Sequence, residues 1–336
     1  MSGENQMAVN SSKLKLLHIL KMLYEKTDAD NTLSTSEIIE ELRKYDIEAE
    51  RKSINADINT LKDFGMNIEM RRSSKYGYYM ADRSFTLPEI KILVDSIQSA
   101  KFISKSKSLE IIGKLLGELS EKNAKIVETE VFIKNRIKAE NDEVFDSIDV
   151  ILKAIKSNRK IDFKYFEYDT DKHKNYRFNG YKFVLSPYAL TWLNDKYYLV
   201  ANNSKYDNLT HYNIDRITEA CILEEKRRDF SEVSEYKTFF NVGDYTRNLH
   251  GMMSGTKEMV EIRFSNELVS TVIDKFGVDI TIKEKKEDTF VARIMAEVSD
   301  VFLAWVFTFG SKAEVLTPEV REVIRKKVEE VSALYL

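Results

Sequence analysis

The segment SPYALTWLNDKYYLVANN, Ser186–Asn203, places Tyr188, Trp192, Tyr197 and Tyr198 in two short runs that break at Asn194 and Asp195. Alternation along a strand sends Tyr197 and Leu199 to one face and Tyr198 and Val200 to the other, so the paired tyrosines serve both faces and one of them belongs to a core. Period-two runs surround it: KIDFKYFEY before, GYKFVLSPYAL leading in, KYYLVANN within, THYNIDRITEACILEE after. All are short, aromatic and β-branched, with polar turns between them, which predicts a small antiparallel barrel or sandwich from about residue 158 to 240. Beyond NVGDYTRNLHGMMSGT, read as a linker, the pattern becomes strand EMVEIRF, helix NELVSTVIDKFG, strands VDITIKEKK and TFVARIMAEV, helix DVFLAWVFTFG, and a last helix after Thr317-Pro318. That order predicts a compact α+β extension over 241–336.

Upstream of the strands the chain reads as helical. Leu14, Leu17, Ile19, Leu20 and Leu23 follow helical spacing, and the polar KTDADN ends that helix. In LSTSEIIEEL, Ser34 followed three residues later by Glu37 forms a capping box, with Leu33 and Ile38 spaced as a hydrophobic staple. In AERKSINADINTLKDFG, Ile54, Ile58, Leu61 and Phe64 share one face, and Arg51, Lys52, Ser53, Asn55, Asn59 and Lys62 lie largely off it. NIEMRRSSKYGYYMA follows, two strand-like runs around a Ser/Lys/Gly turn carrying Arg71, Arg72, Lys75 and Tyr76. Three helices and a basic hairpin over 1–84 are the layout of a winged helix-turn-helix, with the third helix for the major groove and the hairpin for phosphates. The bland alternative is a helical scaffold with a solvated basic face. SFTLPEIKIL opens a further helix through a second capping box, Thr86 and Glu89, with Phe85 and Ile90 as its staple and Pro88 in the first turn. From there to 157 the pattern stays helical, with polar breaks at KSKS and KAENDE, and predicts a connector that carries a dimer contact.

Composition sets the bounds. A chain of 336 residues suggests two or three domains, and 43% hydrophobic with 32% charged residues indicates a folded chain. No apolar run approaches the roughly 20 residues that span a bilayer, and MSGENQMAVNSSK lacks the apolar core of a secretory signal, which predicts a cytoplasmic protein without membrane contact. The formal charge of -3 speaks against indiscriminate coating of nucleic acid. Between Arg51 and Lys75, however, bases outnumber acids six to three. Cys221 is alone, so no internal disulfide forms.

Together these motifs resemble, over nearly the whole chain, the bacterial WYL-domain transcriptional regulators. RKSINADINTLKDFG is similar to that family's recognition helix. Tyr197-Tyr198-Leu199 stands at the naming Trp-Tyr-Leu triplet, after the Ser186-Pro187-Tyr188 element. HYNIDRI stands at the Phe-Arg-Leu-Asp-Arg-Ile position, with Asn213 where an Arg is usual, and VIDKFG with Phe302–Gly310 resembles the C-terminal extension. The resemblance implies an α+β chain: a DeoR-like winged helix-turn-helix, a helical connector over 85–157, an Sm-like β-barrel and an α+β extension. It further implies a nucleotide-like or single-stranded nucleic acid effector that tunes binding to a double-stranded DNA operator, with no cofactor called for. A homodimer on an inverted repeat is expected because a single winged helix reads only a few base pairs. Candidate effector residues are Tyr188 and Tyr198 for stacking, with Lys182, Ser186, His211 and Arg216 as donors to phosphate; Trp192 and Tyr197 fit barrel core equally well. The alternative is a WYL domain acting as an RNA or protein interaction module with no small effector.

Nothing points to catalysis or a metal. His18, His173, His211 and His250 are scattered, Gly113-Lys114 lacks an upstream glycine at phosphate-loop spacing, and Cys221 has no base placed beside it by the pattern.

Overall fold

The computed structural model describes residues 2–72, 75–193, 195–234, 242–247 and 255–336. The turn residues Ser73 and Ser74, Asn194 of the aromatic segment, and His250 with most of the expected linker lie outside them. The chain divides into two compact units, Met1–Asp142 and Glu143–Leu336.

The first unit begins with α1 (Ser2–Lys26), α2 (Thr35–Arg43) and α3 (Arg51–Asp63), followed by the hairpin β1 (Ile68–Arg71) and β2 (Gly77–Met80). The capping box at α2 forms as expected: Ser34 Oγ accepts from the Glu37 amide at 3.2 Å, and the Glu37 carboxylate accepts from the Ser34 amide at 2.7 Å. Ile19, Leu23, Ile38, Leu42, Ile54, Ile58 and Leu61 close one core with Ile68 and Met80 of the hairpin. Two expected apolar groups fall outside it. Leu14 and Leu17 are exposed because the buried stripe of α1 runs through Ile19, Met22 and Leu23, and Phe64 is exposed because it follows the last turn of α3. The hairpin is fastened by backbone bonds between Leu33 and Tyr78, and a Cβ on Gly77 would stand 2.7 Å from the Leu33 carbonyl, so only glycine permits that approach.

Three more helices complete the unit: α4 (Leu87–Ser99), α5 (Lys105–Leu116) and α6 (Glu121–Glu128). The second capping box forms, with the Thr86 amide donating to Glu89 at 2.7 Å, but Phe85 is exposed and does not join the core around Ile90. KSKS is not a break. Ser104 caps α5 and Lys105–Ser108 are its first turn, so the chain turns just before them.

In the second unit α7 (Val144–Ser157) ends at Asn158 in the left-handed region, and a curled half-barrel sheet follows. Its strands are β3 (Arg159–Tyr168), β4 (Lys174–Tyr176), β5 (Phe183–Leu193), β6 (Lys196–Asn202), β7 (Thr210–Asn213) and β8 (Ile217–Lys226). The path runs β4-β3-β5-β6-β7, with β8 paired to β3. The expected barrel is therefore open: no β7–β8 ladder joins its ends among the described residues. The run expected as one strand, THYNIDRITEACILEE, is split by a 3-10 turn at Ile214–Arg216 that lets β8 swing back to β3. Phe163, Tyr165, Phe183 and Tyr212 pack as mutual edge and stacked pairs, with Phe163 to Phe183 at 5.8 Å and Tyr165 to Tyr212 at 5.4 Å, inside the curl.

α8 (Phe230–Val233) and α9 (Val242–Arg247) follow; α9 lies within the stretch expected as linker. The remainder is β9 (Thr256–Ser265), α10 (Val269–Phe276), β10 (Thr281–Lys285), β11 (Thr289–Val298), α11 (Asp300–Phe307), β12 (Ala313–Val315) and α12 (Pro318–Ser332). Its sheet order, β10-β11-β9-β12, all antiparallel, is a ferredoxin-like βαββαβ arrangement followed by α12. β12 leaves no signal in the sequence pattern, because three residues carry no measurable period. Phe264, Phe302, Val260 and Ile294 are wholly or almost wholly buried in its core.

Candidate nucleic-acid interface and effector face

The first candidate surface centres on α3. Arg51, Lys52, Asn59 and Lys62 are exposed, and Ser53 and Asn55 are half-buried. Ser53 is turned inward, bonded by Lys15, whose ammonium also pairs with Asp57 at 3.0 Å and so ties α1 to α3. Asn55 accepts from the hydroxyl of Tyr78 in β2 at 3.2 Å, which fixes the hairpin against the helix. The first turn of α3 has no acid, and its cap residue Glu50 makes no side-chain capping bond. Placing Arg51 and Lys52 there sets cations against the positive end of the helix dipole, an arrangement that an incoming anion would relieve.

The hairpin bases differ among themselves. Arg71 reaches back to Asp30 at 3.2 Å, Lys75 pairs with Glu37 at 2.8 Å, and Arg72 is exposed with no ion pair among the described residues. Tyr76 is exposed beside them.

The second surface is the β5–β6–β7 face. Register pairs Ser186 with Asn202, Thr191 with Tyr198, Tyr198 with Asn213, and Val200 with His211, so Ser186, Tyr198 and His211 share one face. A bulge at Tyr188, between the Pro187 and Ala189 pairings, turns that ring to the same side, where it packs with Ala189, Tyr198 and Val200. This face is already covered by the chain's own following segment. Tyr188 and Tyr198 are 7% and 8% exposed and pack with Val233, Phe230, Val242 and Tyr245. Tyr188 Oη donates to the Arg228 carbonyl at 2.9 Å, the Arg228 amide donates to Ser186 Oγ at 3.0 Å, and His211 Nε2 lies 2.7 Å from Tyr245 Oη. Trp192, on the opposite face with Tyr197, is 46% exposed. Of the aromatics in the opening segment, the two assigned to stacking are thus the buried pair. Lys182 is bonded to Asp162 at 2.9 Å and belongs to another part of the sheet, and Arg216 lies 3.9 Å from Glu167.

Near Tyr198 the face keeps polar groups that sequence reasoning did not single out. Asn213 Oδ1 is buried with no hydrogen-bond partner among the described residues, and Thr191 is buried in the same cross-strand row on the other side of Tyr198. Burial pushes the Asp215 carboxyl above the usual carboxylate range and the Tyr198 phenol above its own. The native state therefore holds the Asp215 proton at pH values where the unfolded chain has released it. Its contribution to stability is full below the unfolded carboxylate pKa and is lost as pH rises through the raised native one. We therefore expect Asp215→Asn to flatten that fall, read as the wild-type minus variant difference in denaturant midpoint across that window; a pH-independent difference contradicts it.

At the β3–β4 turn, Asp169, Asp171 and His173 bring ligand-type atoms within 4.8 Å, all exposed, with Asp169 accepting from the His173 amide at 2.8 Å. That bond is ordinary turn chemistry.

Residues 146–222, from α7 through most of β8, match the WYL domain, and residues 256–332 match the WCX domain. The chain therefore carries a WYL domain and a WCX domain. The WYL domain here is thus α7 with the curled sheet, and the WCX domain is the ferredoxin-like portion with α12. No curated protein matches the chain. Among solved structures it is similar to Proteasome accessory factor B/C (PafBC) of Arthrobacter aurescens, 13% identical over 96% of this chain and 48% of that one, with a TM-score of 0.28. It is also similar to a crystal structure of a CRISPR Cas-related protein, 15% identical over 97% of this chain and 84% of that one, with a TM-score of 0.25. The chain spans about half the length of the PafBC chain, and TM-scores this low carry no argument about function. Among the described residues no helix is long and apolar enough to cross a membrane.

Proposed function

We propose that this WYL-domain protein is a sequence-specific, homodimeric DNA-binding transcriptional regulator whose WYL domain senses a nucleotide or single-stranded nucleic acid. The observation that supports it most is the first turn of α3, where Arg51 and Lys52 stand exposed, without ion pairs among the described residues, at an uncapped helix N-terminus. On this reading residues 1–84 are a winged helix-turn-helix, 85–157 connect, 158–240 sense, and 241–336 extend the sensor. Arg51, Lys52 and Asn55 approach base edges, with Asn59 and Lys62 further along α3, and Arg72, Lys75 and Tyr76 meet the backbone. No catalytic step is assigned.

The test is binding of the full chain to duplexes from the region upstream of its own gene, over a range of salt. Arg51→Ala should weaken the preferred duplex by about 1–3 kcal/mol while leaving unrelated duplexes nearly unchanged. Arg72→Ala should weaken all duplexes alike and lower the salt slope by about 0.9; Lys75→Ala should lower it less, because Glu37 competes for that ammonium. Dimers on an inverted repeat require half-sites roughly 34 Å apart or a multiple of that. A monomer in light scattering, with and without duplex, would overturn the dimeric reading.

One observation favours a second reading of the WYL domain, as an RNA or protein interaction module without a small effector. The face that carries Ser186, Tyr188, Tyr198 and His211 is filled by Phe230, Val233 and Tyr245.

A further inference from the structure

The connection between β4 and β5, Arg177–Lys182, holds two large aromatic rings out of the sheet. Phe178 is 70% exposed and Tyr181 is 77% exposed. Phe178 is not there by default. Phe178 and Asn179 both sit in the left-handed region, at φ 52° and 54°, a conformation that costs a bulky residue free energy and persists only where the surroundings hold it. The holding groups are visible: Arg177 pairs with Glu167 and lies 5.6 Å over the Tyr165 ring, and Phe178 leans at 5.2 Å on Phe183, which is stacked into the core on Phe163. One edge of the Phe178 ring is therefore anchored while most of its surface stays open.

Phe178, Tyr181 and Lys182 line a cleft of about 360 Å³ with Asn203, Ser204 and Lys205 of the β6–β7 turn. From Lys172 to Lys182 there is no carboxylate; of the two lysines lining the cleft, Lys182 pairs with Asp162 at 2.9 Å and Lys205 makes no ion pair among the described residues. An apolar peptide would leave the Lys205 ammonium unused. A planar ring carrying an anionic tail uses both the open aromatic faces and that cation.

We propose that this cleft binds a nucleotide with its base unstacked, the base lying on Phe178 or Tyr181 and the phosphate near Lys205. The nucleotide is either free or one unit of a single strand. The proposal deepens the sensor reading, on which it rests for the regulatory consequence, and moves the ligand away from the covered face to one that is open.

The experiment titrates adenosine monophosphate, a short single-stranded oligodeoxythymidine and a short DNA duplex into the full chain by fluorescence anisotropy or calorimetry. Variants are Phe178→Ala, Phe178→Trp, Tyr181→Ala, Lys205→Ala and, on the sheet, Arg216→Ala, with folding checked by circular dichroism. The expected result is binding that Phe178→Ala or Tyr181→Ala weakens about 5- to 150-fold, that Phe178→Trp keeps, and that becomes less salt-dependent in Lys205→Ala. Preference for the mononucleotide or for the single strand identifies the source. Wild-type binding that survives Phe178→Ala and Tyr181→Ala but is lost in Arg216→Ala overturns this site and leaves the sensor reading standing. If wild type binds neither the mononucleotide nor the single strand, both fall, and duplex binding is judged on its own arm.

Discussion

Arg83→Ala is expected to destabilise the first unit by about 3–5 kcal/mol, as much as truncating a fully buried leucine or isoleucine of its core. Its guanidinium donates to the carbonyls of Tyr24, Thr27 and Glu118 and lies 4.9 Å over the Tyr24 ring. Charged hydrogen bonds of this kind contribute about 1.5–3 kcal/mol each, though not additively, and truncation also leaves carbonyls at the end of α1 without their donor. Arg83→Lys should recover only part of the loss, because one ammonium cannot reproduce the planar fork. Denaturant unfolding of the full chain, read by far-ultraviolet circular dichroism for the helical unit and by Trp192 and Trp305 fluorescence for the other, checks this. A shift below about 1 kcal/mol in the helical transition would contradict it.

Tyr198→Ala is expected to cost about 3–5 kcal/mol in the WYL domain, whereas Tyr198→Phe should cost little. The ring is buried between Thr191 and Asn213 in the cross-strand row and packs under Val233. Any loss of ligand binding in Tyr198→Ala is then a loss of folded sheet, and the pair of variants separates the two meanings of the residue. Should Tyr198→Ala unfold at the wild-type midpoint yet fail to bind a nucleotide that wild type binds, the ring touches ligand and its packing role is minor.

The second tyrosine also shows how far the sequence could be read. Period-two alternation correctly separates Tyr197 from Tyr198, and two capping boxes at Ser34 and Thr86 locate helix starts to the residue. Such signals are local, and their geometry follows from a few neighbouring side chains. Which face of β6 would be covered was not legible, because the cover comes from Phe230 to Tyr245, in a stretch read partly as linker. Leu14 and Leu17 mislead for the same reason: spacing names a stripe, while packing partners elsewhere in the chain choose the stripe that is buried. The exposure of Phe178 and Tyr181 is not legible in the sequence, since an exposed aromatic and a buried one are the same letter.

β3 makes ladders with three strands, β4, β5 and β8, and the last of these is separated from it by the whole of the intervening sheet. Its pairing also sets phase, since a slip of one residue would carry Phe163 and Tyr165 out of the curl. During synthesis, then, β4 to β7 can emerge as hairpins, yet one side of β3 stays a bare template until Lys226 has left the ribosome. That interval is the time when this chain is most open to pairing with a neighbour. The acids of β8 find their cations on β3, Glu219 in Lys164, Glu224 in Arg159 and Glu225 in Lys160, and so favour the correct strand over a stray one.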